Sequence, residues 1–531
     1  MNQQELESRD VPEGSLAGFK RYWKADLVSG FLVFLIALPL CLGISVASGF
    51  PAAAGILTAI VGGIFCGFVS NSELTIKGPA AGLIVIVLGC VTEFGFTTGQ
   101  DPAADLQAYR LALGVGVAAG VIQILVGLFR AGVLAEFFPS AAVHGLLAAI
   151  GVIILLKQFP VMLGLSSSGT PFELVAKIPD FVTGMNPIIG GIGLTSLAIV
   201  FLHRFLPERV KAIPGPLMVL IFAVPAGLLL GIHEIEPYEF AGKSFALGPS
   251  FLVDVPLQIG NALAFPDFSG LTTPTGLKYI ALFAIIGSLE SLLSAKAVEE
   301  IDPWHRKTNH NRDLTAVGIG NTIAAAIGGL PMIAEIVRSR ANIDNGAHTR
   351  FANMFHGMFL LVLIAAVPAL INRIPLSALA ALLVFVGLRL ASPAEFKYMY
   401  EQGIGTFIVF VSTIVGVLAT DLLVGIGIGV AVQFVVLLAS GVPVTALFRL
   451  RTRLEQDSTE RATLSVANAA VFSTWISLRK QVMSLAGTQQ VTVDLRQAAH
   501  VDKTVRAGLK QLEKDLAREG TALAIELPQA A

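Results

Sequence analysis

The sequence predicts an all-α polytopic membrane protein of about fourteen transmembrane segments, arranged as a 7+7 inverted repeat and followed by a small α/β domain. Three observations carry this expectation. First, only 14% of the 531 residues are charged and 54% are hydrophobic, whereas soluble domains carry about 25% charge. Second, the charge is uneven: 20 charged residues fall in the 81 from Arg451 onward, and the other 53 are spread over the preceding 450. Third, two short apolar segments begin with Gly and Pro at matching places in the two halves. The net charge of -1 excludes a global basic field for nucleic acid. Cys41, Cys66 and Cys90 sit in apolar stretches without CxxC spacing, so neither a disulfide framework nor a zinc site is expected. The polar start, Met1 to Pro12, does not read as a cleavable signal peptide.

A helix needs about 20 mostly apolar residues to cross a bilayer core. After a segment at 1–24, such runs lie near 25–48, 52–70, 106–130, 135–157, 186–203, 214–231, 276–298, 313–330, 347–371, 376–391, 403–420 and 422–446. Two shorter segments, 78–92 and 332–345, open with Lys77-Gly78-Pro79 and with Gly328-Gly329-Leu330-Pro331. Pro suits the first turn of a helix and Gly an extended approach, so both are expected to be half-helices beginning inside the membrane. They lie 55 residues after Lys24 and 53 after Lys278, counted to their prolines. Paired short segments of this kind point to a binding site at the midplane of an inverted repeat. The repeats run over about 25–231 and 276–446 within a membrane domain of 25–446, and the tail domain over 452–528.

Orientation follows from the cations. Lys20, Arg21 and Lys24 precede the first span. Arg204, Arg209 and Lys211, then Arg306, Lys307 and Arg312, and finally Arg449, Arg451 and Arg453, all fall on the same side. Glu93, Asp101 and Asp105 fall on the other. Both termini are therefore expected in the cytoplasm of a bacterial inner membrane, with lipid as the main solvent.

Half-helix N-termini offer free N–H groups and about half a positive charge. Two of them facing each other make an anion site, for which Lys77, Gly78, Pro79, Ala80, Ile333, Ala334, Val337 and Arg338 are the candidates. Arg338, read as two turns into the second half-helix, completes the site or else snorkels or pairs with Glu335. Lys77 faces either the anion or Glu73. Glu290 interrupts the eighth span among small residues. With Ser291, Ser294 and Glu335 it is a candidate to couple a sodium ion or a proton, since hard cations take oxygen ligands; a salt bridge to Lys77 or Arg338 is the competing reading. His144 and His356 read as hydrogen-bonded packing residues, and Gly62-Gly63 and Gly425 to Gly429 as close-packing sites. No Walker A loop, HExxH or nucleophile elbow appears, so no enzyme chemistry and no cofactor beyond a coupling sodium ion is expected.

At this point the chain resembles the sulfate permease (SulP) family. The resemblance is carried by Ala37-Leu38-Pro39, Ala47 to Pro51 with Gly55, and Gly78-Pro79. It continues through Asn309 to Asn321, Gly329-Leu330-Pro331, Ile336, Arg338-Ser339, Asn342, Gly346 and Thr349. It implies a core of spans 1–4 and 8–11 moving against a gate of spans 5–7 and 12–14, an anion between spans 3 and 10, elevator-like alternating access, and a homodimer. Arg338 falls on the family's anion-facing cation and Glu290 where related carriers place coupling carboxylates. Lys77 and Glu335 depart from the family pattern. They bring the charges to two positive and two negative, a balance that one monovalent anion and one cation would preserve. That pattern resembles a bacterial branch carrying bicarbonate, so sodium-coupled bicarbonate transport is the leading expectation. Sulfate or dicarboxylate transport, driven by protons or exchange, follows. A nucleobase permease would instead read an uncharged heterocycle through Glu290 and Glu335, and a membrane sensor would signal through the tail.

The tail resembles a reduced STAS domain. Val491 to Leu495 reads as a buried strand, Val505 to Arg518 as an amphipathic helix and Thr521 to Glu526 as a further strand. Asp502-Lys503-Thr504 stands where relatives carry a phosphorylatable turn. For Thr504 the docking role of the domain is the preferred reading.

Overall fold

The computed structural model describes residues 11–130, 138–166, 169–211, 213–456, 460–518 and 520–528. The first ten residues and the part of the predicted 135–157 span at 135–137 lie outside them.

Each of the fourteen predicted segments contains a helix among the described residues, in chain order. The first half comprises α1 (Leu16–Ala47), α2 (Ala53–Val69), a short strand β1 (Ile76–Pro79), α3 (Ile84–Glu93), α4 (Pro102–Leu128), α5 (Ser140–Met162), α6 (Pro187–Leu202) and α7 (Gly215–Leu229). A hairpin, β2 (Pro237–Phe240) with β3 (Lys243–Ala246), leads to the second half. That half has α8 (Pro274–Ile301), α9 (His310–Ala326), β4 (Met332–Glu335), α10 (Ile336–Asp344), α11 (Phe351–Ala366), α12 (Leu376–Leu390), α13 (Ile404–Ala419) and α14 (Leu422–Ala439). Among the described residues seven helices are long and apolar enough to cross a membrane, and five apolar ones are shorter. Local chemistry sets the starts. Asp101 accepts from the Ala103 and Ala104 amides ahead of Pro102, and Asn309 accepts from the Arg312 amide. Both satisfy N–H groups that have no partner inside the helix.

The inverted repeat is visible in the packing. The second span of each half meets the fourth span of the other. At α2–α11, a Cβ on Gly63 would strike the Gly357 backbone at 2.8 Å; at α4–α9, one on Gly318 would strike the Ile124 amide at 2.7 Å. Only glycine permits backbones this close. Likewise α3 lies on α8, where Gly89 faces the Tyr279 hydroxyl. Its counterpart α10 lies on α1, where Ser29 donates to the Asn342 side chain at 2.8 Å.

The chain divides into two compact units: Met1–Gly132 with Ile150–Leu390, and Val133–Ala149 with Ala391–Ala531. This differs from the core and gate grouping implied by the resemblance. Spans α6, α7 and α12 cluster with the core helices because α12 packs on α1, with Leu379 and Leu383 against Gly43. The tail likewise shares its unit with α13 and α14, through Phe434 of α14 against Phe472 at 5.0 Å between ring centres.

In the tail, β5 (Thr452–Gln456), β6 (Arg461–Val466), β8 (Gln490–Asp494) and β10 (Ala522–Glu526) form one sheet in the order β10-β8-β6-β5. The first three run parallel and β5 antiparallel. A small pair, β7 (Ala469–Ala470) and β9 (His500–Val501), stands apart. Helices α15 (Trp475–Met483) and α16 (Lys503–Arg518) cover a core that includes Val491, Val493, Val505, Leu509 and Leu512. The alternation of Val491 and Val493 and the helical spacing from Val505 explain why these elements were legible.

Candidate functional site

The two short Pro-started segments do not begin as helices. Each first forms a strand, and β1 pairs antiparallel with β4 in the register Ile76–Glu335, Lys77–Ala334, Gly78–Ile333 and Pro79–Met332. A residue before proline is pushed to extended geometry, so Gly78 continues the strand, which ends at Pro79. Helical structure starts only at Ala81, in a short 3-10 turn, and at Ile336. Gly78, Pro79, Ile333 and Ala334 are thus strand residues, not helix N-termini. Ala80 is buried between strand and turn, whereas Val337 is 46% exposed and lies off the packed interior.

A two-stranded sheet has open edges, and non-helical backbone inside a membrane is tolerated only where protein satisfies it. Side chains do so here. The Ile76 amide donates to Ser339 Oγ at 2.9 Å and the Lys77 amide to Asn353 Oδ1 at 3.3 Å. On the other strand the Met332 amide donates to Asn321 Oδ1 at 2.6 Å and the Ala334 amide to Ser291 Oγ at 3.2 Å. Leading into β4, the Leu330 amide donates to Thr58 Oγ1 at 2.6 Å, and Asn342 Nδ2 donates to the Leu74 carbonyl at 3.1 Å. Asn321, Ser339 and Asn342 belong to the block that carried the resemblance, and the structure gives them one job, pinning this sheet. Ser291, expected to hold a cation, is one of the pins. Ser294 lies one helical turn beyond Glu290, half-buried.

Arg338 is the third residue of α10, not two turns in, because the helix starts late. It sits at the positive end of its own helix, where a cation is disfavoured. The residue is 1% exposed. Its Nη2 donates to the Pro79 carbonyl at 3.4 Å, and Nε and Nη1 have no partner among the described residues. The guanidinium lies against Gly78, where any Cβ would overlap Nη1. Glu335 caps α10 by position, makes no capping hydrogen bond and faces the Ala81 backbone. Glu290, 7% exposed, presses its carboxylate against Gly82 at the start of α3. Glu290 Oε1 and Glu335 Oε1 also lack partners among the described residues, and the two carboxylates are near enough to repel. Among the described residues, two unfilled donors on Arg338 beside β1 thus stand near two unfilled acceptors beside the turn that follows it. Leaving a buried polar atom unsatisfied costs about 1–3 kcal/mol, more if charged. An acceptor-rich anion and a positive species together would fill all four.

Lys77 takes no part in this. Its ammonium binds Asp313 of α9 at 2.7 and 2.9 Å, both side chains 1% exposed, and Ser70 donates to the same carboxylate. Neither Glu73 nor Glu290 is its partner; Glu73 instead accepts from the Gly14 and Arg350 amides. The charge count changes accordingly. With Lys77 neutralised by Asp313, the ionisable groups left at the site are Glu290, Glu335 and Arg338. Asp313 was missed because nothing in sequence couples positions 236 apart. Cys41 of α1, beside the Arg338 guanidinium, was missed for the same reason. His144 bonds Glu395 at 2.6 Å, as expected of a packing histidine. His356 departs from that expectation, being fully buried with neither ring nitrogen partnered among the described residues.

The sulfate permease family model matches residues 23–413, well over half of the chain. The chain belongs to this family of anion transporters. A putative sulfate transporter of Bacillus subtilis, YvdB, is 24% identical over 428 residues, covering 78% of this chain and 74% of that protein. The bicarbonate transporter BicA of Picosynechococcus is 24% identical over 411 residues, covering 77% and 69%. The solved transmembrane domain of a cyanobacterial BicA superposes with a TM-score of 0.63 at 21% identity, over 79% of this chain and 97% of that one. This sulfate permease family member is a multi-pass membrane protein, and membership in a family of anion transporters speaks against the nucleobase reading.

Proposed function

We propose that this family member is a cation-coupled carrier of a small oxyanion, with bicarbonate and sodium as the leading pair. The observation that supports it is the set of atoms without partners among the described residues: Arg338 Nε and Nη1, Glu290 Oε1 and Glu335 Oε1. With both carboxylates ionised the site carries one net negative charge, which repels an anion until a cation arrives, so the cation binds first. A monovalent anion then returns the site to its resting charge, whereas sulfate adds one more negative charge. The likeness to both BicA and a putative sulfate transporter supports the oxyanion class and keeps sulfate as the second substrate reading. Because β1 and β4 are joined, α3 and α10 move together, which suits an elevator-like step. The assembly proposed is a homodimer in a bacterial inner membrane with cytoplasmic termini and a STAS-like tail.

The test is uptake of labelled bicarbonate and labelled sulfate, side by side, into proteoliposomes with and without an inward sodium gradient. Sodium-dependent bicarbonate accumulation, abolished in a folded Arg338→Ala variant, is the expected result. Sulfate uptake indifferent to sodium would discard both the substrate and the coupling. Unchanged uptake in Arg338→Ala would discard the site.

A further inference from the structure

The second unit contains a cavity of about 290 Å³ where the starts of α5 and α13, the end of α14 and the start of the tail helix α16 meet. That is the low end of the size of small-ligand pockets. Ser140, Gln402, Gln433, Lys503, Thr504 and Arg506 line it. Its acid is already occupied. Asp502 Oδ1 accepts from the Thr504 amide at 2.8 Å, and Oδ2 accepts from Gln433 Nε2 at 3.3 Å and the Phe472 amide at 3.4 Å. Among the described residues neither cation makes an ion pair, although the Asp502 charge acts on Lys503. Lys503 Nζ donates to a neutral acceptor, Gln402 Oε1, at 3.2 Å. Arg506 stands three residues further along α16, on the same face, and like charges at this spacing destabilise a helix. Burial and, after it, the Arg506 charge hold the Lys503 ammonium below its usual range. Burial likewise holds the His500 imidazole low, so this wall residue is neutral near pH 7. The result is a cavity with hydroxyl and amide walls and two crowded cations facing it.

We propose that this cavity binds a phosphate-bearing anion, gripped by Lys503 and Arg506, at the seam between the tail, the start of α13 and the end of α14. A tetrahedral phosphate separates the two cations, takes several donors at once and can accept from the Ser140 and Thr504 hydroxyls. The phosphate comes either from a soluble phosphoester or from the headgroup of an anionic phospholipid in the leaflet on the tail's side. In both cases occupancy clamps the tail to the membrane helices of its own unit. The inference does not rest on the proposed transport substrate.

The experiment uses the full chain in phosphatidylcholine nanodiscs. Inorganic pyrophosphate is titrated by calorimetry, and the thermal midpoint is followed by fluorescence with and without phosphatidylglycerol in the disc. Pyrophosphate binding supports the soluble source. A higher midpoint with phosphatidylglycerol alone supports the lipid source. In either arm Lys503→Gln and Arg506→Gln each weaken the response about tenfold, as expected for one charge-assisted hydrogen bond. The swapped pair Lys503→Arg with Arg506→Lys keeps the response and controls for folding. No response to either probe overturns the proposal. So does a response that sodium chloride of equal ionic strength reproduces, or one that survives loss of both cations.

Discussion

Substituting Gly78 with Ala tests the site through a single methyl group. The strand geometry of Gly78 suits any L-residue, so the backbone should accept alanine without strain. The obstacle is specific: the new Cβ overlaps Arg338 Nη1. To reach van der Waals separation the guanidinium must retreat by about 1 Å. It has little room, being 1% exposed and tethered through Nη2 to Pro79. A displacement of about 1 Å at a positioned group can cost about 100-fold, and losing one charge-assisted hydrogen bond about 1.5–3 kcal/mol. We therefore expect the anion KM of Gly78→Ala to rise by about tenfold to 100-fold, in a protein that still folds but loses the roughly 1–3 kcal/mol that overpacking costs. Initial-rate uptake in proteoliposomes over a range of anion concentrations measures it. A folded Gly78→Ala protein with wild-type KM and maximal rate would refute the placement of the anion against Nη1.

The remaining expectations concern charge. Lys77→Met leaves Asp313 buried without its cation and should destabilise the protein by about 3–5 kcal/mol; adding Asp313→Asn should recover most of it, as read by thermal denaturation in detergent. Recovery failing in the double variant would mean that Lys77 has a role beyond the pair. Glu290→Gln keeps the shape but removes the charge that repels the anion, so uptake should lose its sodium stimulation; an unaltered sodium dependence would clear Glu290 of coupling. In the tail, the Arg496 hydrogen bond holds the Asp494 carboxyl below its usual range. The stability this adds is present above the ordinary carboxylate range and lost as pH falls through the lowered value. Because Arg496 is 62% exposed and solvent screens the pair, Arg496→Ala should lower stability only slightly at pH 7 and not measurably in strong acid. Denaturation of the full chain carrying Trp23→Phe and Trp304→Phe, so that emission reports on Trp475 alone, at both pH values, would show it.

How much of this could be read in advance depended on the range of each interaction. The spans were legible because lipid solvation acts on each run of residues independently of its partners. The tail strand at Val491 and the helix from Val505 were legible from local periodicity. The strands β1 and β4 were not, since Pro79 and Pro331 send two signals. Proline favours the first turn of a helix, yet it also forces the residue before it to be extended, and here the second effect governs Gly78. Only pairing between segments more than 250 residues apart stabilises that outcome. Arg338 and Glu290 were identified by the rarity of charge at membrane depth, whereas Lys77 misled because the same rarity also marks a buried structural pair. Its partner Asp313 was hidden in a polar helix start, where an acidic residue is ordinary.

The β1–β4 ladder has one consequence for how the protein can change over time. Side chains alternate along a strand, so slipping either strand by one residue would turn every side chain of that strand to the opposite face. A slip of β1 would take Gly78 from under Arg338 and the Ile76 amide from Ser339, and a slip of β4 would take the Met332 amide from Asn321. Single-residue insertions or deletions in either short segment are therefore forbidden unless the other half compensates at the same time. The two repeats are locked in phase at these four pairs of residues.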